Sequence, residues 1–177
     1  LALFLAGGGG AVAHAQQDDN TQLRRFQRAN AYLKAEKYDR AIPLLKGLYD
    51  DAPGNTSFYR KLKTAYESVK RYDDALRLVE QHMGNSPTVA LLSETARLQY
   101  LKGEVPTAND TWDRALRLAP NRRQTYQTVY QTLVDLRHFQ KAIEVLQEGR
   151  SILNRPEAFR TQLAYLYGLD GQFEKSM

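Results

Sequence analysis

Apolar and small residues return along this chain at a fixed interval. Alanine stands at positions 41, 75, 108 and 142, in steps of 34, 33 and 34, and Ser176 lies 34 further on. Three residues upstream the interval places Tyr38, Tyr72, Val105, Phe139 and Phe173; four residues downstream it places Leu45, Val79, Trp112 and Leu146. Inside one interval Ala41, Leu44, Leu45, Leu48 and Tyr49 recur at i, i+3, i+4, i+7 and i+8, one stripe of an amphipathic helix. Pro53, Pro87 and Pro120 close three intervals, and Pro156 follows slightly out of step. A period of this length with helical spacing inside it predicts stacked units, each burying its apolar face against the next. The recurrent alanine marks the closest helix crossing, where a larger side chain would overpack at about 1–3 kcal/mol.

The residues around these positions resemble the tetratricopeptide repeat, a helix–turn–helix unit. Residues 29–42 carry its small-residue, aromatic and alanine pattern in Ala29, Tyr32, Tyr38 and Ala41. It returns in Tyr59, Leu62, Tyr66, Tyr72, Ala75 and Pro87, again in Phe139, Ala142 and Ile143, and in Leu163, Ala164, Tyr167 and Phe173. The third unit lacks one residue between Pro87 and Ala108, which leaves two registers open for its first helix. The resemblance implies an all-α, right-handed superhelical solenoid of antiparallel helix pairs with about 4.5 repeats. The units are set at 22–55, 56–88, 89–122, 123–156 and a truncated 157–177, after a short linker at 16–20.

Turns are expected near residues 36–37, 69–71, 102–104, 137–138 and 170–172, giving about nine helices and the start of a tenth. Ser86, Asn121 and the Asn154/Glu157 pair suit helix N-termini. Pro43 lies just inside a helix, where it costs one early hydrogen bond. With the second helix of the last unit incomplete, Leu163, Leu166, Tyr167 and Phe173 are expected to lose cover. The chain starts at Leu1 and stops at Met177, and both ends read as edges of a longer protein.

Residues 1–15 contain no Asp, Glu, Lys or Arg and end in Ala13-His14-Ala15 before a polar stretch. That pattern fits the apolar region and small-residue cleavage site of a secretory signal peptide, with cleavage after Ala15. Together with the repeat type it suggests a bacterial protein, periplasmic or secreted, with no integral membrane span in the mature chain. The sequence has no cysteine, which excludes disulfides, thiol catalysis and cysteine metal sites in this stretch, and a lipoprotein anchor is not expected. The net charge of +5 lies in the mature part. Its basic clusters are interrupted by acidic residues such as Asp50, Asp73 and Asp110, so solvated helix faces explain them and nucleic acid is not the expected partner.

Little chemistry is visible. His82 and His138 are 56 residues apart without clustered ligands, so neither a metal nor any other cofactor is expected. The run from Gly7 to Gly10 belongs to the export signal and does not make a phosphate loop. Adjacent acids such as Asp73 and Asp74 start helices, where they offset the dipole. Tyr38, Tyr66 and Tyr72 fall on packing registers, which favours core over a recognition role. No enzyme is expected.

What remains is surface. The resemblance implies that the first helix of each unit lines a concave groove holding a peptide or a partner's helix. By register that face carries Phe26, Asn30 and Lys34, then Arg60, Thr64 and Glu67, and Arg97 in the third unit. Gln124, Gln127, Gln131 and Asp135 follow, then Thr161 and Tyr165. Amide side chains both donate and accept hydrogen bonds, which suits a peptide backbone. Asn30 matches one residue of the family's carboxylate clamp, but Phe26 stands where a lysine belongs, so that function is not carried over. The reading is a non-catalytic protein-binding scaffold of the bacterial envelope. The alternative is the docking module of a larger exported enzyme, transporter or secretion component. The oligomeric state is left open.

Overall fold

The computed structural model describes the backbone of residues 9–169 and the side chains of residues 20–169. Those residues form nine helices: α1 (Gly9–Lys34), α2 (Tyr38–Asp51), α3 (Thr56–Ser68), α4 (Tyr72–Met83), α5 (Val89–Lys102), α6 (Val105–Leu118), α7 (Arg123–Asp135), α8 (Phe139–Ile152) and α9 (Arg160–Leu169). There is no strand among them. The expected linker at 16–20 lies within α1. The expected start of a tenth helix, with Phe173 and Ser176, lies outside the described residues, as do residues 1–8 of the expected export signal. The chain divides into two compact units, Leu1–Leu78 and Val79–Met177.

The periodic residues explain the packing. Ala41, Ala75, Ala108 and Ala142 are all fully buried, as are Leu45, Val79, Trp112 and Leu146. The upstream register marks helix starts instead: Tyr38, Tyr72, Val105 and Phe139 each open a second helix, the three aromatics half-buried and Val105 exposed. In the first unit α2 packs on both α1 and α3. In the second, α5 packs on α6 and α7, α8 on α7 and α9. One cluster runs through that second unit from Leu92 and Ala96 through Trp112, Tyr126 and Leu133 to Leu163 and Leu166.

The hairpin turns repeat as faithfully as the alanines. Glu36, Lys70, Gly103 and Arg137 adopt positive φ, at 53°, 57°, 96° and 57°. At each, the next residue's N–H reaches back to the carbonyl five residues before it: Lys37 to Tyr32 and His138 to Leu133 at 2.9 Å, Arg71 to Tyr66 at 2.8 Å. This is the left-handed helix stop usually made with glycine. Only Gly103 avoids its steric cost.

The helix starts differ from expectation. Ser86 is not a cap. Thr88 precedes α5 and its Oγ1 accepts from the Leu91 N–H at 3.1 Å. Asn121 is displaced by Arg122, which makes no side-chain cap. There the Thr125 Oγ1 donates to the Ala119 carbonyl at 2.8 Å and the Tyr126 hydroxyl to Pro120 at 2.9 Å, tying the connector to the helix from below. Asn154 ends α8 in the left-handed region, with φ of 50°, rather than starting α9. Asn55, by contrast, caps α3 through Ser57 and Phe58. These caps fix the third unit's register. The N-cap stands two residues after Pro53 and Pro120 but one after Pro87, so the missing residue comes out of the connector and α5 itself is intact.

Leu163, Leu166 and Tyr167, expected to lose cover, are buried. α9 packs against α8, and Gln147 Nε2 donates to the Tyr167 hydroxyl at 2.8 Å. Gly149 makes a close crossing possible: a Cβ there would stand 2.8 Å from the Tyr126 ring and 3.0 Å from Phe159.

Candidate functional site

With α5 in that register, its outer side and that of α7 border an open hollow of about 650 Å³. α5 contributes Ala90, Leu91, Ser93, Glu94 and Arg97; α7 contributes Gln124, Gln127, Thr128, Gln131, Thr132 and Asp135. Five residues expected from sequence therefore meet here: Arg97, Gln124, Gln127, Gln131 and Asp135. They come from two helices that the chain separates by α6.

The polar groups are held from behind. Thr132 Oγ1 donates to the Val129 carbonyl at 2.8 Å and accepts from the buried Trp112 Nε1 at 3.2 Å. Gln131 Nε2 donates to Asp135 Oδ1 at 2.9 Å, which orients that amide and leaves its oxygen available. Ser93 is fully buried, and its Oγ has no hydrogen-bond partner. An orphaned buried hydroxyl is costly. Glu94 and Arg97 already interact with neighbouring groups.

The other expected positions have their own surroundings. Phe26 packs edge-on against Phe58 with centroids 5.2 Å apart, and Lys61 Nζ lies 5.6 Å from its ring. Asn30 is half-buried and Lys34 exposed. Arg60 and Thr64 are exposed, Arg60 Nε donating to the Thr56 carbonyl. Glu67 pairs with Lys63 at 3.4 Å, both largely covered. Thr161 and Tyr165 are exposed on α9.

Ser93, Glu94, Thr128 and Thr132 were not singled out in the sequence. Ser93 was within reach of the periodicity, since Phe26, Arg60, Ser93 and Gln127 are spaced by 34, 33 and 34. The open register of the third unit hid it.

Among the described residues no group of three His, Cys, Asp or Glu is arranged to hold a metal. His138 precedes α8 against Tyr100 and Trp112, at centroid distances of 5.0 and 6.1 Å, with its Nε2 buried and unbonded. Burial lowers its pKa; the nearby Glu144 opposes that shift and Lys141 adds to it. No described helix is long and apolar enough to cross a membrane.

Comparison with known proteins bears on this arrangement. Residues 32–90 match the sequence model of the tetratricopeptide repeat family. No curated protein matches the chain. A crystal structure of MamA is similar at 17% identity over 89% of this chain and 87% of that one, with a TM-score of 0.51. A MamA double mutant is similar at 12% identity over 88% of each, with a TM-score of 0.52. At such identity the likeness concerns the fold. Residues 32–90 are thus similar to the tetratricopeptide repeat family, and the all-helical architecture is like that of helical repeat proteins.

Proposed function

We propose that this chain is a non-catalytic interaction scaffold that holds a segment of a partner protein along α7. The observation that carries the reading is the convergence of Arg97, Gln124, Gln127, Gln131 and Asp135 on one open hollow backed by an unpartnered serine hydroxyl. Spacing supports it. Gln127, Gln131 and Asp135 are four residues apart, about 6 Å along a helix axis. Alternate residues of an extended chain are about 6.6 Å apart. A peptide laid along α7 therefore meets an amide or carboxylate at nearly every second residue. Asp135 favours a basic side chain at its end of the site and Arg97 an acidic one beside it.

A photo-crosslinker at Gln127 is expected to capture a discrete partner, and Gln131→Ala to reduce that capture. Equal capture from Gln140, on α8, would overturn the reading. The proposal also takes residues 1–15 as an export signal that delivers the chain to the periplasm or beyond. N-terminal sequencing of the mature protein is expected to begin at Gln16, and an uncut leader would count against export.

A further inference from the structure

We infer that the turn between α1 and α2 is a second binding site, specific for an oxyanion carried on an apolar group and separate from the α5–α7 hollow. Arg28 on α1 and Arg40 on α2 converge on one tyrosine. The Arg28 guanidinium carbon lies 5.6 Å from the Tyr32 ring centroid and that of Arg40 lies 6.0 Å from it. Arg28 Nε and Nη2 both donate to the Tyr32 hydroxyl, at 3.3 and 3.2 Å. These residues border a hollow of about 430 Å³, completed by Asp39, Pro43 and Leu44.

Each arginine is attracted to the ring, but the charge of the pair is left uncompensated. Two cations face one ring, and among the described residues neither arginine forms an ion pair with a carboxylate. Arg40 also stands in the first turn of α2, where the helix dipole disfavours positive charge. Asp39 is the acidic group bordering the hollow. The Tyr32 hydroxyl has its pKa lowered, first by the Arg28 hydrogen bond.

A bound oxyanion offsets the two guanidinium charges and the positive charge at the start of α2. Guanidinium forks match carboxylate and phosphate geometry. The tyrosine hydroxyl, already accepting from Arg28, keeps its proton to donate. Pro43 and Leu44 supply apolar contact for the carrier. Carboxylate and phosphate monoester share this chemistry, and probes on a common carrier separate them.

The test follows the Arg Nε–H signals by NMR in the whole chain while titrating benzoate, phenyl phosphate or neutral benzamide. Saturable shifts are expected at Arg28 and Arg40 with one or both anions, and none with benzamide. Response to phenyl phosphate alone assigns the site to phosphate, to benzoate alone to carboxylate, and to both to either source. Arg40→Gln is expected to weaken binding about fivefold. Arg28→Gln carries the same test should that variant unfold. Gln127→Ala is expected to leave binding unchanged, which keeps this site distinct from the α5–α7 hollow. Shifts no larger than those of exposed Arg114, or equal shifts with benzamide, would overturn the proposal.

Discussion

Phe26 and Ser93 occupy the same place in the repeat, yet their surroundings are opposite. In the first unit the Phe26 ring meets Phe58 and is overlaid by Lys61, so its face of α1 is filled by the chain's own side chains. In the second unit the equivalent residue is a buried serine, and the face above it is open, amide-rich and about 650 Å³ in volume. One side chain at a periodic position thus separates a filled face from an open one. The backbone that presents the two is the same, down to the left-handed residue ten positions later, Glu36 in one and Gly103 in the other.

The contrast is broken most severely from beneath the open face. Trp112 is fully buried and donates to Thr132, one of the residues lining the hollow. Trp112→Ala is expected to cost about 3–5 kcal/mol in a urea titration, the usual loss for a buried aromatic. Trp112→Phe keeps most of the bulk and is expected to cost about 1 kcal/mol, the size of a single hydrogen bond. If the phenylalanine variant weakens partner capture at Gln127 while remaining folded, the hydrogen bond positions α7; if capture is unchanged, Trp112 only supports it.

Ser93 tests the comparison directly. Ser93→Phe imposes the first unit's solution on the second. It is expected to cost about 1–3 kcal/mol in overpacking and to abolish capture from Gln127. Ser93→Ala removes the unpartnered hydroxyl and is expected to raise stability by about 1 kcal/mol, because no bond is lost and a buried polar group disappears. A loss of stability instead would mean that the hydroxyl is satisfied in solution.

The turns give a smaller effect with opposite signs at equivalent places. Gly103→Ala introduces a Cβ at φ of 96° and is expected to destabilise by about 1 kcal/mol. Lys70→Gly, at φ of 57°, is expected to gain about 0.5 kcal/mol, the relief of left-handed strain less the added chain entropy. Thermal melts of the two variants should move in opposite directions.

Periodicity made the fold legible because its residues are those that cannot face water. Ala41, Ala75, Ala108 and Ala142 mark crossings whose geometry tolerates little else, and they read the same in sequence and structure. Caps were less legible. A cap depends on one local φ/ψ choice, and Asn121 and Asn154 suit several. Thr125 and Tyr126 anchor α7 from inside the helix, which no start signal reveals. The candidate face was half legible: α7 keeps its register from Pro120 onward, so Gln124, Gln127, Gln131 and Asp135 can be placed by counting. On α5 the residue missing after Pro87 obscured Ser93 and Glu94. Counting places Phe26 at the position equivalent to Ser93, but it does not show that Phe58 meets it.

The weakest expected effect concerns His138, whose pH response distinguishes the second unit from the first. Its ring is half-buried against Tyr100 and Trp112, with Nε2 lacking a partner, and burial depresses its pKa below the usual 6.5. From its own helix α8, Glu144 opposes that shift and Lys141 reinforces it; from α6, Asp113 pairs with Lys141 at 2.9 Å and so offsets part of the lysine's charge. The sign follows from proton counting. Below the unfolded value the unfolded chain binds a proton that the folded chain resists, so unfolding is favoured as pH falls. The contribution is complete above pH 6.5 and is lost as pH drops through the folded pKa. Urea midpoints measured between pH 7.5 and 5 are expected to decline, and His138→Gln is expected to flatten that decline. An unchanged slope in the variant would assign the acid sensitivity to other groups and leave His138 a packing residue, as neutral in its consequences as any ring at a hairpin turn.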